Sequence, residues 1–134
     1  FGSEHFADEY SRTKRKLPYK YEAAVLFDLF AADGARLAVE GYSFGLAPQL
    51  VTDLWKTAEA VGARSFKYER GFARAADVQD DHLALNKAGI PAVDVIDFHY
   101  PHWHKLSDTP AKVSPKQLSE VALVITTPLK GKRE

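Results

Sequence analysis

The feature that most constrains the fold is an apolar run interrupted by a single acid. Residues 23–30 read Ala-Ala-Val-Leu-Phe-Asp-Leu-Phe, without alternation of apolar and polar side chains. Such a run is typical of a strand buried on both faces in a parallel or mixed sheet. Asp28 is then anomalous, because a buried carboxylate should face a metal ion, a cation or several hydrogen-bond donors. A structural salt bridge is the alternative interpretation.

Helix and strand patterns alternate along the rest of the chain. Helices are expected over residues 3–10, 48–61, 81–88 and 115–127. Strands are expected over residues 23–30, 36–39, 65–68 and 90–98, with loops over 41–45 and most of 66–78. The last helix has the clearest start, a capping box of Ser114 and Gln117 with Pro115 at the first helical position. This alternation predicts an α/β domain with a mostly parallel sheet, whose functional residues gather at the carboxyl ends of the strands.

Composition narrows the class of protein. With 134 residues and 46% hydrophobic content, residues 1–134 are expected to form a single domain. Eighteen basic and eighteen acidic side chains give no net charge that would favour nucleic acid or an anionic membrane, so peptides or small molecules are the expected partners. The absence of cysteine excludes disulfides and thiolate zinc sites. No apolar run is long enough for a membrane span.

Residues 79–82 read Gln-Asp-Asp-His just before a predicted helix. In the simpler interpretation, Asp80 or Asp81 caps that helix while the other acid favours the helix dipole. In the functional interpretation, one acid acts on a substrate or metal, the other orients the backbone, and His82 bridges to a neighbouring loop. The local sequence leaves both interpretations open.

Three histidines, His99, His102 and His104, follow the last predicted strand. Neutral imidazole is a common zinc ligand. Side chains at alternating positions of an extended loop point apart, however, so the three are not expected to bind one ion together. A polar surface loop is the alternative.

Several short segments, taken in order, resemble one known family. They are residues 79–82, 88–92, 96–97, 100–101, 103–104 and 108–109, preceded by residues 1–7 and 25–29. Together they resemble the carboxyl-terminal part of the superfamily of co-catalytic zinc aminopeptidases and glutaminyl cyclases, which share the zinc exopeptidase fold. The resemblance implies a three-layer α/β sandwich with a mostly parallel mixed sheet, and it places the amino-terminal part of that fold before Phe1.

The resemblance also implies roles for individual residues. His104 matches a late zinc-binding histidine. Asp28 matches an aspartate that binds the second zinc in aminopeptidases, and in cyclases joins a hydrogen-bond network around the substrate. Asp80 matches a catalytic acid of that network, while Gln79 and Trp103 match residues of the substrate pocket.

Other parts of the family's metal site are not matched. Its first histidine, its bridging aspartate and its glutamate pair would precede Phe1, and Glu4, Glu9 and Glu40 do not lie in the corresponding context. Zinc is the expected cofactor, but two ligands are fewer than the three protein ligands of an ordinary catalytic zinc site. We therefore expect weak zinc binding and no turnover by the isolated chain.

Three functions follow from this resemblance. The leading prediction is a zinc metallopeptidase of the aminopeptidase type, which acts on peptide amino termini when complete. A glutaminyl cyclase-like acyltransferase and a metal-free, inactive domain for peptide binding or assembly are the alternatives. A missing amino-terminal segment or a second copy of the chain could cover the sheet edge. The family suggests a secreted or periplasmic protein.

Overall fold

The computed structural model describes residues 2–67 and 77–128. Its helices are α1 (Gly2–Thr13), α2 (Gly41–Leu46), α3 (Pro48–Ala60), α4 (Asp81–Lys87) and α5 (Pro115–Thr126). Its strands are β1 (Ala24–Asp28), β2 (Leu37–Ala38), β3 (Phe66–Lys67) and β4 (Ala92–Ile96). Short 3₁₀ turns cover Lys14–Lys16 and Pro110–Lys112. Every helix and strand expected from the sequence is present, although several of their ends differ.

The strands pair in parallel. β1 pairs with β4 so that Leu26 lies opposite Asp94 and Asp28 lies opposite Ile96. β2 pairs with β3 in the same way and lies next to β4. One isolated antiparallel bridge joins Ala32 to residue 113, so the mostly parallel mixed sheet is confirmed.

Helices cover both faces of the β1–β4 pair. One face packs on α3 and α5 and includes Val93 and Val95. The buried residues on the other face, next to α1 and α4, are Ala7, Tyr10, Ala88 and Ile90. Because successive side chains of a strand point to opposite faces, Asp94 faces away from Val93 and Val95. The predicted three-layer arrangement is confirmed.

Local sequence signals set both ends of α3 and the start of α5. α3 begins at Pro48, and the chain leaves it through Gly62, whose φ of 76° suits glycine. At α5, Ser114 Oγ accepts a hydrogen bond from Gln117 N, as predicted. The reciprocal half of the capping box is not formed there, because Ser114 N donates to Ala31 O. This bond ties the start of α5 to the segment after β1.

β1 is less buried than its sequence predicts. All five of its residues are half-buried, whereas all five residues of β4 are buried. Within the described part of the chain, β4 is the only strand that pairs with β1, so one edge of β1 has no strand beside it. The prediction of burial on both faces, made for residues 23–30, is therefore wrong for β1, and β4 is the strand that is fully buried.

Two further predictions were wrong about helices. Residues 41–45 were expected to be a loop, but they form α2, because the Glu40 carboxylate accepts hydrogen bonds from Tyr42 N and Ser43 N and caps it. α1 continues past Tyr10 to Thr13 and then tightens into a 3₁₀ turn.

Most of the loop expected over 66–78 lies outside the described residues. None of the described helices has the length and apolar character needed to cross a membrane.

Candidate active site at the carboxyl ends of β1 and β4

Asp80 caps α4, as one interpretation of the sequence predicted. Its side chain accepts a hydrogen bond from Asp81 N at 2.7 Å. Asp81 in turn accepts one from Ser3 Oγ at 2.6 Å, which ties α4 to α1. Gln79 is exposed and Asp80 is half-buried, so both side chains can reach solvent. Capping does not exclude the catalytic role of Asp80 or the pocket role of Gln79, which remain predictions.

Asp28 ends β1 and is half-buried. Its Oδ1 accepts a hydrogen bond from Leu29 N at 2.9 Å, and Leu29 has a positive φ of 49°. Burial raises the pKa of Asp28, and the nearby carboxylates of Asp80 and Asp81 add to the rise. The Leu29 N–H and the nearby His104 side chain act in the opposite direction and lower the pKa. These groups therefore lie within electrostatic reach of one another at the same end of the sheet.

The loop after β4, residues 97–108, is fixed by its own carboxylates. Asp97 is buried and accepts hydrogen bonds from His99 N and Arg36 N, each at 3.1 Å. Tyr100 is buried as well, and its hydroxyl donates to Asp108 Oδ1 at 2.7 Å. This hydrogen bond raises the pKa of Tyr100. The 97–108 loop thus has defined anchors at both ends.

The three histidines of this loop have separate surroundings. His99 is exposed, and the Nδ1 of His102 lies 2.9 Å from Ser107 Oγ. His104 adopts a positive φ of 54° and stacks on Trp103, with ring centroids 4.4 Å apart. Trp103 is 42% exposed and also contacts Phe98. The structure thus leaves the ring of Trp103 accessible next to His104, while its place in a substrate pocket remains a prediction.

The described residues do not fit a complete zinc site. Within residues 2–67 and 77–128, no three histidine or acidic side chains lie together as a metal site would require. The two predicted ligands, Asp28 and His104, share one end of the sheet, but a third protein ligand is not beside them. Within the described residues, these two side chains therefore do not make up a zinc site by themselves.

A buried polar cluster lies next to this end of the sheet and was not predicted as a site. It consists of Glu40, Ser43, His82 and Asp94, none of which is measurably exposed. Glu40 accepts hydrogen bonds from Ser43 Oγ at 2.7 Å and Val78 N at 2.9 Å, besides its two capping bonds. Asp94 N donates to Ser43 Oγ at 2.9 Å. The cluster therefore links α2, α4 and β4.

The two carboxylates of the buried polar cluster, those of Glu40 and Asp94, have pKa values shifted in opposite directions. Burial alone would raise the pKa of Glu40, but the nearby imidazole of His82 and three backbone N–H groups lower it from 4.5 to about 2. Burial raises the pKa of Asp94 from 3.8 to about 7, and neighbouring carboxylates add to the rise against the opposing effect of His82. Among the described residues, neither side-chain oxygen of Asp94 has a hydrogen-bond partner. Glu40 is thus an anion at neutral pH, whereas Asp94 favours its neutral form only below about pH 7.

His82 lies at the centre of the buried polar cluster. Its Nε2 is 3.2 Å from Glu40 Oε2, although the ring N–H is not aligned for a hydrogen bond. In the functional interpretation of the sequence, His82 bridges to a neighbouring loop. The structure shows that it bridges to the residue that caps α2.

The profile of peptidase family M28 matches residues 1–127. The chain belongs to this family. The family resemblance inferred from the sequence is thereby confirmed. No curated protein sequence matches the chain.

Solved structures of similar fold include both cyclases and peptidases. A glutaminyl cyclase from Fimbriiglobus ruber is 66% identical, with a TM-score of 0.88 over 93% of this M28 chain and 41% of its own. A leucine aminopeptidase precursor from Bacteroides thetaiotaomicron is 25% identical, with a TM-score of 0.80 over 95% and 43% of the two chains. A glutaminyl cyclase from Porphyromonas gingivalis is 30% identical, with a TM-score of 0.72 over 89% and 45%. The M28 chain spans less than half the length of each.

The sequence carried only partial signals for the buried polar cluster. Asp94 interrupts an apolar strand just as Asp28 does, and the same argument about buried carboxylates applies to it. Glu40 was hidden because Gly41 and Gly45 make the following segment of this M28 chain look like a loop. Its contact with Val78 joins residues 38 positions apart, which local sequence patterns do not reveal.

Proposed function

We propose that this M28 chain is the carboxyl-terminal part of a zinc-dependent enzyme that cyclises amino-terminal glutamine. The observation that carries the proposal is the 66% identity to the Fimbriiglobus ruber glutaminyl cyclase over 93% of the chain. In the proposed reaction, the free α-amino nitrogen of a peptide attacks the side-chain amide carbon of its first residue. A new carbon–nitrogen bond closes the ring, and ammonia leaves with the proton given up by the amine.

The arrangement at the carboxyl ends of β1 and β4 supports this role. Asp80 is a half-exposed carboxylate near Asp28, the last residue of β1. It can accept a proton or a hydrogen bond from a bound amine. The exposed amide of Gln79 stands beside it, and the accessible ring of Trp103 offers an apolar surface for the substrate side chain. Zinc is part of the proposal through the family and its relatives, and the remaining zinc ligands would come from outside the described residues.

The first test separates Asp80 from its neighbour. Asp80→Asn keeps a good N-cap for α4 and removes the charge, so the fold should be preserved while kcat falls by about 10²–10⁴-fold. Asp81→Asn is the matched control, because Asp81 is exposed and contacts Ser3 on the surface. The measurement is steady-state kinetics of the full-length protein on a peptide that begins with glutamine. Equal activity of the two variants would contradict the catalytic role of Asp80.

An aminopeptidase is the second candidate, and it is favoured by the similarity to the Bacteroides thetaiotaomicron leucine aminopeptidase precursor. It predicts hydrolysis of the first peptide bond instead of ring closure. Leucine has no side-chain amide that the amino terminus could attack, so a peptide that begins with leucine can only be hydrolysed. Release of free leucine would therefore support the aminopeptidase over the cyclase.

A further inference from the structure

One carboxylate accepts a hydrogen bond from the backbone before Gln79 and lies against the side chain that follows Asp80 and Asp81. Val78 N donates a hydrogen bond to Glu40 Oε1 at 2.9 Å, directly before Gln79. Glu40 Oε2 lies 3.2 Å from His82 Nε2, two residues after Asp80. The exposed side chains of this segment therefore stand on backbone that is fixed from inside the protein.

Capping of α2 does not account for these two contacts. The carboxylate caps α2 through Tyr42 N and Ser43 N, a task that aspartate, asparagine or serine performs at most helix starts. Glutamate is one methylene longer than aspartate. The extra length lets the Glu40 carboxylate meet the start of α2 and the Val78 N–H at once.

The carboxylate is itself anchored to the sheet. Ser43 Oγ donates to Glu40 Oε2 at 2.7 Å and accepts from Asp94 N at 2.9 Å, which connects Glu40 to β4. The side chain of Asp77, next to Val78, also lies close to the start of α2, since a Cβ added at Gly41 would collide with the Asp77 carboxylate. Glu40 thus joins a rigid part of the fold to the start of α4.

We propose that Glu40 is a positioning residue, which fixes the backbone around Gln79 and Asp80 so that their side chains stay at the carboxyl ends of β1 and β4. The roles of Gln79 and Asp80 rest on the proposed function. The fixing of the backbone does not, and it can be measured separately.

The decisive variant is Glu40→Asp in the full-length protein. Aspartate keeps the cap of α2 but is too short to reach Val78 N as well. We expect kcat/KM for a peptide that begins with glutamine to fall by about 10–100-fold, because small displacements of catalytic groups have effects of that size. In hydrogen exchange, the Val78 amide should exchange about tenfold faster or more, because its acceptor has moved out of reach.

Two further variants separate positioning from general loss of stability. Ser114→Ala removes the cap of α5, which is remote from Gln79 and Asp80 in the chain, and should leave kcat/KM and Val78 exchange unchanged. Glu40→Gln keeps the length and one acceptor oxygen, so its kinetics should lie closer to the wild type than those of Glu40→Asp. If Glu40→Asp does not fold, Glu40→Gln replaces it, and its Val78 amide should still exchange faster than in the wild type, because an amide oxygen is a weaker acceptor than a carboxylate. All kinetics are measured where circular dichroism shows the variants to be folded.

The outcomes are distinct. Wild-type values of kcat/KM and of Val78 exchange in Glu40→Asp would overturn the proposal and leave Glu40 as a helix cap only. If the wild type acts on no peptide amino terminus, the proposed function fails, and Val78 exchange decides alone. Faster exchange in Glu40→Asp but not in Ser114→Ala would then support the positioning role, and equal exchange in the two variants would overturn it.

Discussion

Titratable groups gather in two neighbouring places in this protein, and water reaches only one of them. In the buried polar cluster, Glu40, His82 and Asp94 have no exposed surface, and their positions are set by packing and hydrogen bonds. In the 97–108 loop, His104 and Trp103 are exposed, while hydrogen bonds of Asp97 and Asp108 hold the loop backbone in place. Stability should therefore depend on the buried polar cluster, whereas contact with a substrate should depend on the 97–108 loop.

The largest stability effect is expected from Glu40→Ala. The substitution leaves the backbone N–H groups of Tyr42, Ser43 and Val78 without their acceptor, and each unsatisfied buried donor costs about 1–3 kcal/mol, so we expect a loss of about 3 kcal/mol or more. Urea unfolding measures the loss, with Ser114→Ala as the reference for an ordinary N-cap at about 1 kcal/mol. If the two variants lost the same amount, the buried polar cluster would have no special role in stability.

Asp94 should make stability depend on pH in an unusual direction. Burial raises its pKa from 3.8 to about 7, so its contribution is fully present below 3.8 and is lost as pH rises through 7. At one pKa unit per 1.36 kcal/mol, the wild type should lose about 2–4 kcal/mol between acid pH and about pH 8 through this group. Asp94→Asn does not titrate and should be the more stable protein at about pH 8.

Unfolding free energies of both proteins, measured across this pH range, test the expectation. Glu40 acts in the opposite direction, since its pKa of about 2 means that its contribution is lost only as pH falls below 4.5. A wild type whose stability stayed level from about pH 5 to pH 8, and matched Asp94→Asn throughout, would show that Asp94 is charged without penalty.

The sequence predicted the loop better than the buried polar cluster for a physical reason. Trp103 and His104 stand in a short run of consecutive residues, so the local sequence was enough to single them out. Glu40 is defined by contacts with Val78 and His82, which lie far along the chain and meet it only in the folded protein. Its neighbours Gly41 and Gly45 also hide the helix that it caps.

The fold was predicted well because its signals are local. The apolar strands, the proline at the start of α3 and the cap of α5 each specify one element, and their order specifies a parallel sheet. The exposure of β1 could not be predicted, because it depends on which strands lie beside β1 and not on its own residues.

Within the 97–108 loop, Trp103→Ala should change binding more than stability. Trp103 is partly exposed and packs only against Phe98 and His104 among ring partners in the described residues, so we expect a loss of about 1 kcal/mol or less. The KM for a peptide substrate should rise about tenfold, because an aromatic contact is lost. Leu106→Ala, at a fully exposed position of the same loop, should change neither quantity. Similar KM values in all three proteins would remove Trp103 from the substrate pocket.

A stability change of similar size to that of Trp103→Ala, but of opposite sign, is expected from His104→Gly. His104 has a φ of 54°, which glycine adopts without the steric cost that other residues have there, so stability should rise by up to about 1 kcal/mol. The variant should nevertheless lose activity if His104 is a zinc ligand. Thermal unfolding and activity are measured together, with His99→Gly as the control that should lose stability and keep activity. A fully active His104→Gly would exclude that role.

The central claim is best tested by mass spectrometry of two peptides after incubation with the full-length protein and zinc. One peptide begins with glutamine and the other with leucine, and they are otherwise identical. If the chain is part of a glutaminyl cyclase, the first peptide loses ammonia and keeps its length, while the second is unchanged. Release of free leucine from the second peptide, with no loss of ammonia from the first, would contradict cyclisation and favour the aminopeptidase.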